Sequence, residues 1–285
     1  MVRFGPSGNS NSFYAEGNKD SVQMPAWLRH RDLDAYEYSC TKGVRLRPEK
    51  AALLGEEARK HHIALSVHAP YYINLASNEA EKRVKSVGYI LATLQIAKVM
   101  GASRIVVHSG ACGKMTRSEA MAYAKETLRT AITQADAAML GDIHICPETM
   151  GKINQLGTLD EVLDLCSLDE RLIPTIDFGH LYARGQGNVS TKKDFESILS
   201  AVENKLGADR LKHFHGHFSK IEYTQGGEKR HLTFADDGFG PPFAPLAELI
   251  YQKNLSPTII CESAGTMAED AQTMKNIFSG RKWTD

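Results

Sequence analysis

Six short apolar runs in this chain end on residues that bind metals well. They close on His68, on His108, on Glu148, on Asp177, on the stretch His213-Phe214-His215-Gly216-His217, and on Glu262. His180 follows Asp177 within Asp177-Phe178-Gly179-His180. Imidazole nitrogen and carboxylate oxygen are ordinary ligands for zinc and its neighbours. Taken singly, a strand-end histidine is more often a hydrogen-bonded structural residue, and a buried carboxylate more often pairs with Arg or Lys. Taken together, the six ends contain no Arg or Lys, and burying an ionised group unpaired costs several kcal/mol. The joint pattern therefore reads as a metal centre. One zinc takes about four ligands. Six strand ends, with His180 and His231 besides, suit two or three ions, especially if a carboxylate bridges. The mixed donor set favours zinc, with manganese as the alternative. Metals held close together are a common device for in-line displacement at phosphorus.

The remaining histidines are less telling. His30, His61, His62 and His144 read as surface or structural residues. His213, His215 and His217 share one side-chain phase, so phase does not choose among them.

The elements that carry these ends alternate regularly. Strand patterns over 2–5, 35–39, 64–68, 104–108, 143–148, 172–177, 211–217 and 257–262 are separated by helical patterns. The helices fall near 24–30, 48–61, 79–100, 117–139, 159–166, 192–205 and 267–278. Pro48 sits near the start of its helix and Gly101 closes the long one. Eight strand–helix units predict one α/β domain over 1–285, a (β/α)8 TIM barrel with parallel strands. Active sites in such barrels lie at the C-terminal strand ends, where the ligand types collect. The irregular stretch 221–244, rich in Gly and Pro, reads as a functional or disordered loop.

Composition narrows the classes. The chain has 285 residues, 42% of them hydrophobic, enough for one large core. Lys plus Arg equals Asp plus Glu at 34 each, so any polyanion site must be a local patch. Five widely spaced cysteines without Cys-x-x-Cys read as reduced and structural, which predicts a cytoplasmic protein. No signal-peptide core or membrane-length apolar run is expected to anchor it. The loops after the strands carry Arg45, Arg47, Lys114, Arg117, Lys152, Lys220, Lys229 and Arg230, a rim suited to a phosphate backbone. Tyr71 and Tyr72, directly after His68, suit the gap left by an extruded nucleotide.

Longer motifs share these positions: His68-Ala69-Pro70-Tyr71-Tyr72-Ile73-Asn74-Leu75, Val107-His108-Ser109-Gly110, Glu148-Thr149-Met150-Gly151-Lys152, Gln155-Leu156-Gly157-Thr158, Asp177-Phe178-Gly179-His180, His215-Gly216-His217-Phe218-Ser219 and Glu262-Ser263. In this order they resemble the endonuclease IV family of apurinic/apyrimidinic endonucleases, within the xylose-isomerase-like barrels and nearest its archaeal-looking members. The resemblance implies three zinc ions. His68 and His108 would bind the first, and Glu148 would bridge first and second. Asp177, His215 and Glu262 would complete the second. His180 and His231 would bind the third, and Glu228 stands one place from the family's remaining carboxylate. A bridging hydroxide oriented by Glu148 and Glu262 would attack the phosphate 5′ to an abasic sugar, without a covalent intermediate. Arg45, Tyr71 and Tyr72 would enter double-stranded DNA, Asn74 would support that loop, and Gln155 would contact the backbone. The implied protein is a monomeric prokaryotic base-excision-repair enzyme near the nucleoid.

A sugar isomerase or epimerase on the same barrel is the rival. It would use Glu148, Asp177, His215 and Glu262 alone, and His68, His108, His180 and His231 over-supply its single metal. A non-catalytic lesion-binding protein is a further rival.

Overall fold

The computed structural model describes residues 1–280. The last five residues of the expected domain lie outside the described residues.

The barrel strands are β1 (Arg3–Pro6), β2 (Ala35–Ser39), β3 (Ala64–His68), β4 (Arg104–His108), β5 (His144–Glu148), β6 (Thr175–Asp177), β7 (His215–Phe218) and, last in the chain, β10 (Thr258–Cys261). Between the last two lies a hairpin of β8 (Ile221–Thr224) and β9 (Gly227–His231). The eight barrel strands form one parallel sheet in the order β1-β10-β7-β6-β5-β4-β3-β2. The ring is joined where Asp34 N–H donates to Phe4 O and Gly8 N–H donates to Glu37 O, both at 2.9 Å. This is the (β/α)8 barrel that the strand–helix alternation predicts.

The helices are α1 (Asn11–Ala15), α2 (Met24–Arg29), α3 (Pro48–Lys60), α4 (Ala80–Met100), α5 (Arg117–Ala137), α6 (Leu159–Cys166), α7 (Phe178–Arg184), α8 (Lys192–Leu206), α9 (Ala208–Lys212), α10 (Ala244–Gln252) and α11 (Met267–Gly280). Their starts follow local chemistry. Pro48 opens α3, and Thr116/Glu119, Thr158/Glu161 and Thr191/Asp194 close reciprocal capping boxes on α5, α6 and α8. Gly101 takes the left-handed cap of α4.

Asp177 caps α7 directly, accepting from His180 N–H at 2.7 Å. Two details depart from expectation. The expected strand from Leu211 is helix α9 up to Lys212, and β7 begins only at His215. The stretch after β7 is not irregular throughout, since β8 and β9 pair antiparallel there.

Packing pins the strand ends. Phe178, next to Asp177, lies against Phe195, Phe214 and Phe218 with ring centroids 5.6, 6.2 and 6.2 Å apart. All four rings are fully buried. Burying one such side chain stabilises by about 1.5–3 kcal/mol, so Asp177 is anchored from the outside of the barrel.

Candidate metal centre

Register brings the ligands together in pairs. His108 lies beside Glu148 across β4–β5, and Asp177 beside His217 across β6–β7. His215 pairs instead with Thr175, two residues deeper. A strand rises about 3.3 Å per residue, so His215 sits one side-chain layer below the mouth. This corrects the expected second-ion set. The residue grouped with Glu148, Asp177 and Glu262 is His217, not His215. His215 faces Glu37, with its Nε2 2.9 Å from Glu37 Oε2.

Three ligand groups converge at the mouth. His68, His108 and Glu148 form the first, with the two Nε2 atoms 3.4 and 3.1 Å from Glu148 Oε2. Glu148, Asp177, His217 and Glu262 form the second, with His217 Nδ1 2.9 Å from Glu148 Oε1 and 3.5 Å from Glu262 Oε2. His180, Glu228 and His231 form the third. Glu228 Oε2 lies 3.5 Å from His180 Nε2, and Glu228 Oε1 lies 3.8 Å from His231 Nε2. Glu148 belongs to two groups, the position a bridging carboxylate needs.

Several rings commit one nitrogen to the protein and leave the other for the mouth. His68 Nδ1 lies 2.8 Å from Ala69 O, His180 Nδ1 2.9 Å from Thr149 O, and His231 Nδ1 2.8 Å from Ser219 Oγ. Metal-binding histidines are commonly fixed in this way.

The donor set fits divalent cations. Glu148 Oε2 and Asp177 Oδ2 are buried without a hydrogen-bond donor. Among the described residues, no Lys or Arg forms an ion pair with Glu148, Asp177, Glu228 or Glu262. Burial pushes the Asp177 carboxyl up to about 6, against the pull of His180. Burial works the same way on Glu148, but the neighbouring His217, His108 and His68 rings hold it well below the usual range. Burial would lower His68 and His180, yet Glu148 lifts the first and Asp177 the second, each to about 9. Among the described residues the carboxylates thus face imidazoles alone, and a bound cation would take the place of any proton on the ligating nitrogens.

The third group depends on a neighbouring loop. The β5–α6 loop pairs with the hairpin through Glu228 N–H to Gly151 O and Ile153 N–H to Gly226 O, both 3.1 Å. Gly151 must be glycine, because a Cβ there would meet Glu228 Cβ at 2.6 Å. Arg184, which the sequence did not single out, holds this loop. Its Nη1 donates to Met150 O and Lys152 O, and its Nη2 to Ile153 O and Gln155 O.

A cleft of about 380 Å³ opens above the ligands, lined in part by Tyr71, Lys152, Gln155 and Glu262. Tyr71 and Tyr72 are 55% and 43% exposed, too open to be core. Tyr72 stacks edgewise on Tyr89 at 4.9 Å, and Gly43 abuts its hydroxyl, placing the exposed Arg45 loop alongside. Asn74 Oδ1 accepts from Ala76 and Ala111 N–H, both at 3.2 Å, tying two mouth loops together. Gln155 Oε1 is buried without a donor.

The expected basic rim is only half available. Arg117 is bound by Glu161, Lys229 and Arg230 are both bound by Glu222, and Lys220 donates to Phe234 O and Asp236 O. Arg45, Arg47, Lys114 and Lys152 form no ion pair among the described residues. The five cysteines are buried and free. No helix is long and apolar enough to cross a membrane.

Fold and site together define a (β/α)8 barrel whose strand ends gather several groups of His, Asp and Glu that could hold metal ions. The chain belongs to the xylose isomerase-like TIM barrel family, whose model matches residues 21–278. It is 35% identical over 263 residues to an uncharacterized protein of Methanocaldococcus jannaschii, covering 92% of each chain. It is 28% identical over 181 residues to a Mycoplasma pneumoniae protein named Probable endonuclease 4, covering 62% of this chain and 60% of that one. The endonuclease IV resemblance carried by the strand-end motifs is thus matched by relatives of that name. Among solved structures, a D-tagatose 3-epimerase-like protein aligns with TM-score 0.72 at 21% identity, covering 98% of this chain and 96% of that one. Endonuclease IV from Thermus thermophilus aligns with TM-score 0.70 at 18% identity, covering 98% of each. At those identities the structural likeness speaks for the barrel alone.

Proposed function

We propose that this chain is a zinc-dependent apurinic/apyrimidinic endonuclease that hydrolyses the phosphodiester 5′ to an abasic site in double-stranded DNA. The observation that carries this reading is the coexistence at the barrel mouth of three ligand groups, two of them sharing Glu148. In this reading His68, His108 and Glu148 hold one ion, Glu148, Asp177, His217 and Glu262 a second, and His180, Glu228 and His231 a third. Zinc bound there supplies Lewis-acid polarisation of the phosphate and water activation at neutral pH. The protein's own groups orient the reaction. Glu148 and Glu262, whose carboxylates both approach His217 Nδ1, align the attacking water. Arg45, Tyr71 and Tyr72 enter the duplex, Asn74 holds their loop against Gly110, and Gln155 and Lys152 face the backbone. An exposed aromatic pair beside an open cleft suits an extruded nucleotide.

A sugar isomerase or epimerase is the second reading, favoured by one observation. The Glu148–Asp177–His217–Glu262 group is complete by itself. It leaves the first and third groups without a task.

One paired assay separates the readings. Zinc-replete protein is offered a duplex with a tetrahydrofuran abasic analogue and, separately, ketohexoses in deuterated water. Nicking without deuterium uptake is expected. Deuterium uptake by a sugar without nicking overturns the nuclease reading.

A further inference from the structure

We infer that Glu37 is a positioning residue that fixes the tautomer of His217 and aims its Nδ1 at the second metal group. The inference rests on the metal centre and not on DNA as the substrate.

Glu37 lies in β2, between Tyr36 and Tyr38, and is fully buried. It faces β7 across the barrel interior. Its Oε2 accepts from Ser66 Oγ at 2.8 Å and lies 2.9 Å from His215 Nε2. Its Oε1 lies 2.9 Å from His217 Nε2. Both atoms are buried and make no regular hydrogen bond, so their approach is a charge-pair contact. An ionised carboxylate only accepts. Nε2 therefore carries a proton toward Glu37, while Nδ1 donates to Glu148 Oε1 at 2.9 Å until a cation takes the place of that second proton.

His217 is the inverse of the other rings. His68, His180 and His231 place Nδ1 on a protein oxygen and present Nε2. His217 instead turns Nδ1 to the ligand group and Nε2 to the Glu37 carboxylate. A carbonyl would hold a ring in the opposite sense less firmly than a charged acceptor does.

The Glu37, His215 and His217 ligand atoms also lie close enough to hold an ion themselves. Such an ion would need His217 Nε2, the atom assigned here to Glu37.

Ring-nitrogen NMR of the zinc-loaded wild-type protein reads the assignment without any variant. The expected result is a protonated Nε2 and a metal-shifted Nδ1 on His217. A protonated Nδ1 overturns the inference. Zinc affinity supplies the second arm, measured by competition with a chromophoric chelator. Loss of an outer-shell partner commonly costs 10–100-fold in metal affinity, so Glu37→Gln should weaken one zinc equivalent by about that factor. Ser66→Ala, which removes only the third donor, should leave all equivalents at wild-type affinity. Unchanged affinity in Glu37→Gln overturns the positioning role. So does a zinc equivalent present in wild type and missing from Glu37→Gln while the others keep their affinity, because Glu37 would then be a ligand.

Discussion

Glu148 Oε1 lies 2.9 Å from His217 Nδ1, while its other oxygen faces His68 and His108 at 3.4 and 3.1 Å. One fully buried carboxylate thus joins ligands from β3, β4 and β7. Replacing it with Gln keeps the shape and removes the charge. Glu148→Gln should lose at least about 10²-fold in turnover, the scale of removing one electrostatic contact to a transition state. Circular dichroism should show an intact fold. Near-normal turnover would remove Glu148 from its bridging place.

The register of β6–β7 makes a sharper prediction. His217→Asn should lose about one zinc equivalent by elemental analysis, and activity with it. His215→Asn should keep its zinc and lose about 1–3 kcal/mol of stability, the penalty of disturbing a buried hydrogen bond. The reverse order would restore His215 as the ligand.

That contrast shows what the sequence could carry. The strand ends were legible because His68, His108, Glu148 and Asp177 each follow a run of apolar residues in a short strand. The choice between His215 and His217 was not, because both point inward at period two and only the pairing of Asp177 with His217 separates them. Glu37 was hidden because a single carboxylate within Tyr-Glu-Tyr gives no sign of the histidines it meets across the barrel. Its inward phase on β2 was the available signal. Arg184 was hidden because its partners are backbone carbonyls, which leave no mark in sequence. The basic rim was over-read, since Glu222 occupies Lys229 and Arg230 from the facing hairpin strand.

The aromatic loop should act on DNA and not on metal. Tyr72→Ala should weaken binding to an abasic duplex by about 1–3 kcal/mol, the usual worth of one aromatic stack, with zinc content unchanged. Fluorescence anisotropy reads the affinity. Lys229→Ala should do less, because Glu222 already neutralises that side chain. Equal losses in both variants would point to charge as the main contact.

Glu161 carries a pH-dependent share of stability away from the metals. Burial works to raise its carboxyl, but hydrogen bonds from Arg117, Gly157 N–H and Thr158 N–H bring it down to about 2. A depressed folded-state value means stabilisation present above the ordinary value of 4.5 and lost as pH falls through about 2. Arg117 is partly exposed, so solvent screening reduces the contribution to about 1–2 kcal/mol. Denaturant melts of metal-free Glu161→Gln should show that deficit near pH 6 and a smaller one as pH drops below about 4. A deficit independent of pH would assign the residue to packing alone.

The most direct test of the account is the position of the cut. A duplex labelled at the 5′ end of the strand carrying one tetrahydrofuran analogue is incubated with zinc-replete protein, with chelator-treated protein and with Glu148→Gln. The account predicts a single product ending in a 3′-hydroxyl immediately 5′ to the analogue, formed only by the zinc-replete wild type. An uncut strand, or a cut that persists with Glu148→Gln, would contradict it.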